Sequence, residues 1–321
     1  MSFRVTLKQV AAEAGVSHMT VSRVVRGEKR VKPATADRVK VAIKKLGFRP
    51  DPMLSALAAY RLKRPPRSRD AVVAWLAGKR DAYHEAVLAG AVSEAERFGY
   101  SIALFPVPQE PVAIKRLSRM IRHRGVHGVL IGPTDSPLDF SGWPWEQFSA
   151  VSLGVLDHHP TLHAVGMDYF HGLITAHKGL HHAGCRRIGL MLRPFLEART
   201  GHRWLGAYRT CSPGFPICWI EPDMNKITLA RWIRKHRLDG VLSIEGAWHE
   251  TLRNIGVRVA YLNPHHAIVA PAPAHIALDV AAIGREGVRL LHHLLLRDES
   301  GLPETPVTVL LKGRWYPEET G

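Results

Sequence analysis

The stretch TLKQVAAEAGVSHMTVSRVV, residues 6–25, predicts two short helices joined by a tight turn. Thr6 is a suitable N-cap, and Gln9, three residues later, completes a capping box with it. Apolar residues then recur at helical spacing, which predicts one buried face. That face comprises Leu7, Val10, Ala11 and Ala14. Gly15 is expected to end the first helix because glycine tolerates the positive φ of a helix stop.

The next residues predict a second and a third helix. Ser17 is a good N-cap for the second helix. A third helix begins with Pro33 at its first position and ends before Gly47. The inward-facing residues of the two helices are Val21, Val24, Val25, Val39, Ala42, Ile43 and Leu46. The resulting three-helix unit is either a DNA-binding module or a small helical bundle that binds nothing.

Positive charge is concentrated in this first part of the chain. Residues 1–69 contain 17 Lys and Arg but only four acidic residues, so they supply +13 of the formal +16 of the whole chain. A basic surface on a small helical unit is typical of proteins that bind the nucleic-acid backbone. A membrane surface is the competing partner, but no amphipathic helix with a large aromatic face accompanies the charge. We therefore expect DNA and no membrane as the partner.

Residues 5–60 resemble the DNA-binding headpiece of the LacI/GalR family of bacterial transcription regulators. The resemblance rests on VTLKQVA at residues 5–11, AGVS at 14–17, TVSRV at 20–24 and LGFRP at 46–50. It implies that His18 and Met19 are the leading specificity residues of a recognition helix, followed by Arg23. Histidine can donate to a guanine acceptor, and methionine can contact a thymine methyl group. The other residues expected to contact DNA, several of them at phosphates, are Thr6, Ser17, Thr20, Ser22 and Arg26.

Residues 50–60 correspond in the family to a hinge helix. Asp51 is placed to cap it and Pro52 suits its first position. A helix this short is marginal alone. In the family it folds when two protomers bind the operator, and a leucine inserts into the minor groove, where such an insertion kinks the duplex. Leu57 is at that position; the alternative for Leu57 is a helix–helix contact within a dimer.

A basic, proline-broken linker, residues 61–69, separates the headpiece (residues 1–60) from residues 70–321. Beyond it, helical patterns alternate with short apolar runs at 71–76, 101–105, 128–131, 150–154, 187–192 and 240–244. This alternation predicts an α/β fold with parallel sheets that bind ligands at the carboxyl ends of their strands. By resemblance, this part is the family's effector-binding and dimerisation domain. It would have two Rossmann-like lobes with parallel sheets, as in type I periplasmic binding proteins, around a cleft.

The resemblance also implies four effector-binding residues. Arg203 is at the position of an arginine that commonly contacts the effector, and Asp279 is at an acidic cleft position. Tyr83 is where an aromatic ring often stacks on the ligand, and Glu245 is where an Asn-Asp pair is usual. Guanidinium donors and carboxylate acceptors suit a hydroxyl-rich or zwitterionic ligand. The structural alternatives are a helix N-cap for Asp279, an ion pair for Arg203 and core packing for Tyr83.

Several other classes of protein are disfavoured by the sequence. Common catalytic and nucleotide-binding motifs are absent, so we expect neither an enzyme nor a cofactor. The three cysteines, Cys185, Cys211 and Cys218, lack metal-type spacing, and most histidines are expected to be solvated, so no metal is predicted. The sequence has neither an apolar signal segment nor an apolar run long enough to span a membrane, which favours a cytoplasmic protein.

The function predicted from the sequence is therefore sequence-specific transcription regulation, with repression favoured. One short recognition helix reads only a few base pairs, so we expect a homodimer on a pseudo-palindromic double-stranded operator. A small-molecule effector, a sugar among the candidates, would favour one arrangement of the lobes. The alternatives are a small-molecule-binding or sugar-processing protein with an incidental basic arm, and an architectural protein that reads DNA shape alone.

Overall fold

The computed structural model describes residues 7–25, 33–46, 48, 71–77, 81–107, 110–135, 137–154, 157–262 and 272–318. These residues belong to two compact units, Met1–Pro65 and Pro66–Gly321. The expected domain limits near residues 60 and 70, the hinge at 50–60 and the linker at 61–69 lie outside the described residues. Each unit is described by itself.

The first unit contains helices α1 (Leu7–Ala14), α2 (His18–Val25) and α3 (Pro33–Leu46). Gly15 has a φ of 61° and follows the last residue of α1, as the sequence predicts. At the start of α2, the Ser17 hydroxyl accepts a hydrogen bond of 3.2 Å from the Thr20 amide. The buried core comprises Val10, Ala11, Ala14, Val21, Val39 and Ala42. The predicted inward faces of the three helices are thus confirmed, except at Val25, whose side chain is not described.

The second unit alternates strands and helices. Its strands are β1 (Ala71–Ala77), β2 (Tyr100–Pro106), β3 (Gly128–Ile131), β4 (Ser149–Leu153), β5 (His163–Met167), β6 (Ile188–Leu192), β7 (Ile217–Trp219), β8 (Gly240–Ser243), β9 (Arg258–Tyr261), β10 (Ala274–Ala277), β11 (Thr308–Leu311) and β12 (Arg314–Tyr316). Its α-helices are α4 (Ala82–Arg97), α5 (Pro111–His123), α6 (Tyr169–His182), α7 (Pro194–Arg199), α8 (Arg203–Cys211), α9 (Lys226–His236), α10 (His249–Ile255) and α11 (Val280–Arg297). Short 3₁₀ helices lie at Trp145–Gln147 and Gly246–Trp248.

The strands form two six-stranded sheets, one in each of two lobes. The first sheet has the order β11-β5-β4-β3-β1-β2 and is parallel throughout. The second has the order β12-β10-β9-β8-β6-β7, in which only β12 is antiparallel to its neighbour. Every residue of β3, β4 and β8 is buried, as expected for parallel strands covered on both faces. The expected architecture, a helical headpiece and two lobes with parallel sheets, is confirmed.

The chain passes between the lobes three times. It crosses from β5 to α6 and β6, returns from β10 through α11 to β11, and crosses again from β11 to β12. On its return it packs α11 closely against α4, with Gly90 and Gly284 at the contact. A side chain at either glycine would overlap the backbone of the facing helix. This close approach fixes α4, whose first turn carries Tyr83.

Two absences apply to the described part of the chain. No helix there is both long and apolar enough to cross a membrane. No group of three or more His, Cys, Asp or Glu side chains there is arranged to hold a metal ion.

Candidate functional site

Helix α2 exposes the side chains predicted to read bases. His18 and Arg23 are exposed, and Met19 is 55% exposed. On the opposite face of the helix, Val21 is fully buried in the core of the three-helix unit. Packing of that apolar face fixes which side chains the helix presents outward. His18, Met19 and Arg23 are therefore accessible to a binding partner.

Two hydroxyl side chains at the start of α2 are joined to each other. The Ser17 and Thr20 hydroxyl oxygens lie 2.9 Å apart, and Ser17 also caps the helix. Either hydroxyl retains acceptor or donor capacity beyond this bond, so a phosphate contact remains compatible with the geometry. The predicted contacts of Thr6, Arg26 and Leu57, and of the Ser22 side chain, lie outside the described residues.

Positive charge lies on α3 of the same unit. Arg38, Lys40, Lys44 and Lys45 are exposed along this helix. Two of them have acidic neighbours, with Lys45 Nζ 2.6 Å from Glu13 and Lys40 Nζ 3.5 Å from Asp37. These four basic side chains of α3 are therefore exposed to solvent, and Arg38 and Lys44 have no acidic neighbour among the described residues.

Tyr83 lies in the first lobe of the second unit and is buried at the start of α4. Asp81 caps this helix by accepting from the Tyr83 and His84 amides at 3.0 and 3.1 Å. The Tyr83 ring faces the other lobe, where Arg199 Cζ lies 5.2 Å from the ring centroid, a cation–π distance. Its hydroxyl is hydrogen-bonded to that of Tyr169, and burial raises the pKa of Tyr83 well above its usual value.

Arg203 also makes a contact between the lobes. Its Nη1 donates to the Thr200 carbonyl at 2.6 Å and lies 3.5 Å from Oδ2 of Asp157, which follows β4 of the first lobe. Arg203 begins α8, whose N-cap His202 adopts the left-handed conformation. The ion-pair alternative for Arg203 is therefore present in the structure, at a distance typical of a loose pair.

Glu245 and Asp279 have partners of their own. Glu245, after β8, forms a two-pronged ion pair with Arg193, after β6, at 2.5 and 3.1 Å. Asp279 caps α11 by accepting from the Ala282 amide at 3.2 Å, and its other oxygen pairs with Arg285. The N-cap alternative for Asp279 is thus the arrangement that the structure contains.

The structure brings two of the four candidate residues together. Tyr83 and Arg203 lie with three residues that the sequence reasoning missed, and we call the five the Tyr–Arg cluster: Tyr83, Asp157, Tyr169, Arg199 and Arg203. Arg199 and Arg203 both act on Tyr169, where they oppose the rise in its pKa caused by burial. The described contacts of Glu245 and Asp279 are instead with Arg193, Arg285 and the backbone.

One signal in the sequence points to two of the three missed residues, Asp157 and Tyr169. Asp157 and Tyr169 follow the carboxyl ends of β4 and β5, and Arg193 follows β6. In open parallel sheets, ligands bind beyond these strand ends. Polar and aromatic side chains placed directly after apolar runs are therefore candidates even where a family position does not mark them.

Among the comparisons with known proteins, the match to a family model lies in the headpiece. Residues 6–51 match the family described as bacterial regulatory proteins, lacI family. The chain is 32% identical over 129 residues to the HTH-type transcriptional regulator PtxS of Pseudomonas plecoglossicida, over 40% of this chain and 36% of that one. It is 31% identical over 204 residues to the HTH-type transcriptional regulator CelR of Thermobifida fusca, over 60% of this chain and 56% of that one. These matches span less than two thirds of the relatives' own length.

Solved structures of similar fold extend over nearly the whole chain. A lac repressor dimer bound to operator and the anti-inducer ONPF gives a TM-score of 0.58 at 20% identity, over 98% of both chains. A complex of the transcriptional regulator CelR with cellobiose gives a TM-score of 0.52 at 22% identity, over 99% of this chain and 100% of that one. At these identities the likeness establishes the fold.

Proposed function

We propose that this chain, whose residues 6–51 belong to the lacI family of bacterial regulatory proteins, is a sequence-specific DNA-binding transcription regulator of the cytoplasm. The observation that carries the proposal is α2, which buries Val21 and exposes His18, Met19 and Arg23 on the basic headpiece. His18 and Met19 read base edges in the major groove, and Arg23 reads the next position. The hydroxyls of Ser17 and Thr20 fix the helix on the phosphates.

The regulator acts as a homodimer on a pseudo-palindromic operator. One recognition helix of eight residues, His18–Val25, reaches only a few base pairs, so a second copy is needed for a specific site. Leu57 of each protomer enters the minor groove at the centre of the site, where a pyrimidine–purine step kinks most easily. Repression is the sign of regulation that we favour.

A small molecule bound between the two lobes regulates DNA binding. The Tyr–Arg cluster joins the lobes beyond the carboxyl ends of β4 and β5, where parallel sheets bind ligands. A ligand that binds one arrangement of the lobes more tightly than another shifts the population between them. Solved structures with this fold hold cellobiose in one case and the anti-inducer ONPF in another, which makes a sugar-like effector a candidate.

The experiment that tests the proposal is selection of bound sites from random duplexes with the full-length protein. Wild type is expected to select a pseudo-palindrome with a central pyrimidine–purine step. His18→Ala and Met19→Ala are each expected to relax the base preference at one position of each half-site and to cost about 1–3 kcal/mol there. Val41→Ala, at a 67% exposed position on α3, is the matched control and should select the wild-type site.

Three outcomes would contradict the assignment. Unchanged sites for His18→Ala and Met19→Ala would refute the base-reading roles of these residues. Duplexes retained without sequence preference would instead favour an architectural protein that reads DNA shape alone, and no retention would favour a small-molecule-binding protein with an incidental basic arm.

A further inference from the structure

The Tyr–Arg cluster has an excess of positive charge. Its charged groups are the guanidinium groups of Arg199 and Arg203 and the single carboxylate of Asp157. Within the part of the chain that the structure describes, Arg199 has no acidic partner; its guanidinium lies over the Tyr83 ring.

The carboxylate that faces Arg203 is weakly held. Asp157 Oδ2 is 3.5 Å from Arg203 Nη1, beyond ordinary hydrogen-bond distance, and its side chain is 53% exposed. Such exposed ion pairs contribute little, because water solvates the separated groups nearly as well. Arg203 itself is positioned independently of Asp157 by its 2.6 Å hydrogen bond to the Thr200 carbonyl. Removing Asp157 from Arg203 therefore leaves the arginine in place.

The neighbouring groups suit an anion better than a neutral ligand. Tyr83 and Tyr169 are buried phenols whose hydroxyls are hydrogen-bonded to each other, and burial raises the pKa of both further above the range in which they would ionise. Glu245, which follows β8 of the second lobe, is already neutralised by its two-pronged pair with Arg193. A carboxylate or phosphate would thus meet two guanidinium groups and neutral hydroxyls, with the Asp157 carboxylate beside Arg203 to oppose it.

We propose that the ligand of this cleft is anionic: a carboxylate or phosphate group binds Arg199 and Arg203 and displaces Asp157 from Arg203. Planar guanidinium groups bind carboxylate and phosphate oxygens with paired, charge-assisted hydrogen bonds. Asp157 is then the counter-ion of Arg203 in the ligand-free protein, and its loose contact between the lobes is lost when the ligand binds. The inference rests on the proposed function in that it takes this cleft as the regulatory site.

The test measures binding of matched neutral and anionic probes to the full-length protein by calorimetry at constant ionic strength. The probes are galactose with galacturonate, glucose with glucose 6-phosphate, and inorganic phosphate alone. At least one anion is expected to bind wild type about tenfold or more tightly than its neutral counterpart, the scale of a charge-assisted hydrogen bond. The two sugar pairs distinguish a carboxylate from a phosphate as the recognised group.

Three variants locate the anion. Asp157→Asn removes the competing charge and is expected to tighten anion binding several-fold. Arg199→Gln is expected to weaken it about tenfold or more. Arg234→Gln, at an exposed position on α9, removes the same charge elsewhere and should bind as wild type does. Asp157→Asn alters only a half-exposed side chain, so it decides the question alone if Arg199→Gln is unstable.

The inference is overturned if no anion at millimolar concentration binds wild type or Asp157→Asn more tightly than its neutral counterpart. It is also overturned if Asp157→Asn weakens anion binding, since the carboxylate would then be a ligand contact. Selection of bound duplexes with the same preparations separates this failure from failure of the proposed function. A protein that selects a specific site without any anion effect retains the function and loses the inference.

Discussion

Replacing Gly284 by alanine should separate two helices that set the position of Tyr83. An alanine Cβ at this position of α11 would lie 2.5 Å from the Ala91 nitrogen and 3.1 Å from the Val87 carbonyl carbon, both in α4. These are backbone atoms, so no side-chain rotation relieves the overlap, and the helices must move apart by about 1 Å to restore van der Waals contact. The apolar contacts of both helices weaken as a result.

The expected loss of stability follows from two opposing effects. Overpacking of a close contact costs about 1–3 kcal/mol, and sometimes more. Replacing a helical glycine by alanine contributes about 1 kcal/mol in the opposite direction, because glycine loses more backbone entropy on folding. Gly284→Ala is therefore expected to lower the free energy of unfolding by up to about 2 kcal/mol, and by about 1–3 kcal/mol relative to a helical Gly→Ala replacement without the overlap.

The assay is urea unfolding followed by tryptophan fluorescence, with Gly206→Ala as the control. Gly206 lies within α8, and an added Cβ there would meet no atom within 4 Å. Gly206→Ala is thus expected to leave stability unchanged or to raise it by up to about 1 kcal/mol. If Gly284→Ala were as stable as Gly206→Ala, the close approach of α4 and α11 would not constrain the fold as we describe.

Two further predictions concern acid stability, and one concerns DNA. The Glu94 carboxylate is almost fully buried and accepts a hydrogen bond of 2.8 Å from Arg289, which lowers the pKa of Glu94. The stabilisation of the folded state by this ion pair is therefore present above the unfolded-state pKa of Glu94. It is lost as pH falls through the folded-state pKa. Urea midpoints measured across that acidic range should fall less steeply for Glu94→Gln than for wild type; equal slopes would contradict the role of this pair. Burial lowers the pKa of His158 to about 4 from 6.5, so the folded state favours neutral histidine and loses about 3 kcal/mol as pH falls between these values. NMR titration of the His158 ring should show this midpoint, and a midpoint near 6.5 would refute it. DNA affinity of the full-length protein should fall linearly with the logarithm of salt concentration, as counterion release requires, and a salt-independent affinity would exclude phosphate contacts by the headpiece.

The headpiece and the sheet class were the parts most accessible to sequence reasoning. Capping by Ser17, the stop at Gly15 and the periodic apolar faces of α1–α3 depend on residues a few positions apart, so the sequence alone carries them. The alternation of apolar runs and helical patterns similarly indicated parallel sheets. The antiparallel pairing of β12 with β10 was not foreseen, because it joins residues about forty positions apart in the sequence.

The cleft was less accessible, because its contacts join residues distant in sequence. Arg203 was predicted as a ligand contact or an ion pair, but its partner Asp157 lies in another lobe, and only the tertiary structure brings the two together. Arg199 carries no local pattern that marks it, yet it covers the Tyr83 ring. For Asp279 the local signal was sufficient: a carboxylate before an apolar helix is a good N-cap, and it caps α11.

The most direct test of the central claim is the ratio of specific to non-specific DNA affinity for the full-length protein. Affinity would be measured for the selected duplex and for a scrambled duplex of equal length at two salt concentrations. We predict a ratio of about 10³ or more for the wild-type protein at physiological salt, and a clearly smaller ratio for the double variant His18→Ala, Met19→Ala. A ratio near one at both salt concentrations would contradict the account, since α2 would then bind DNA without reading it.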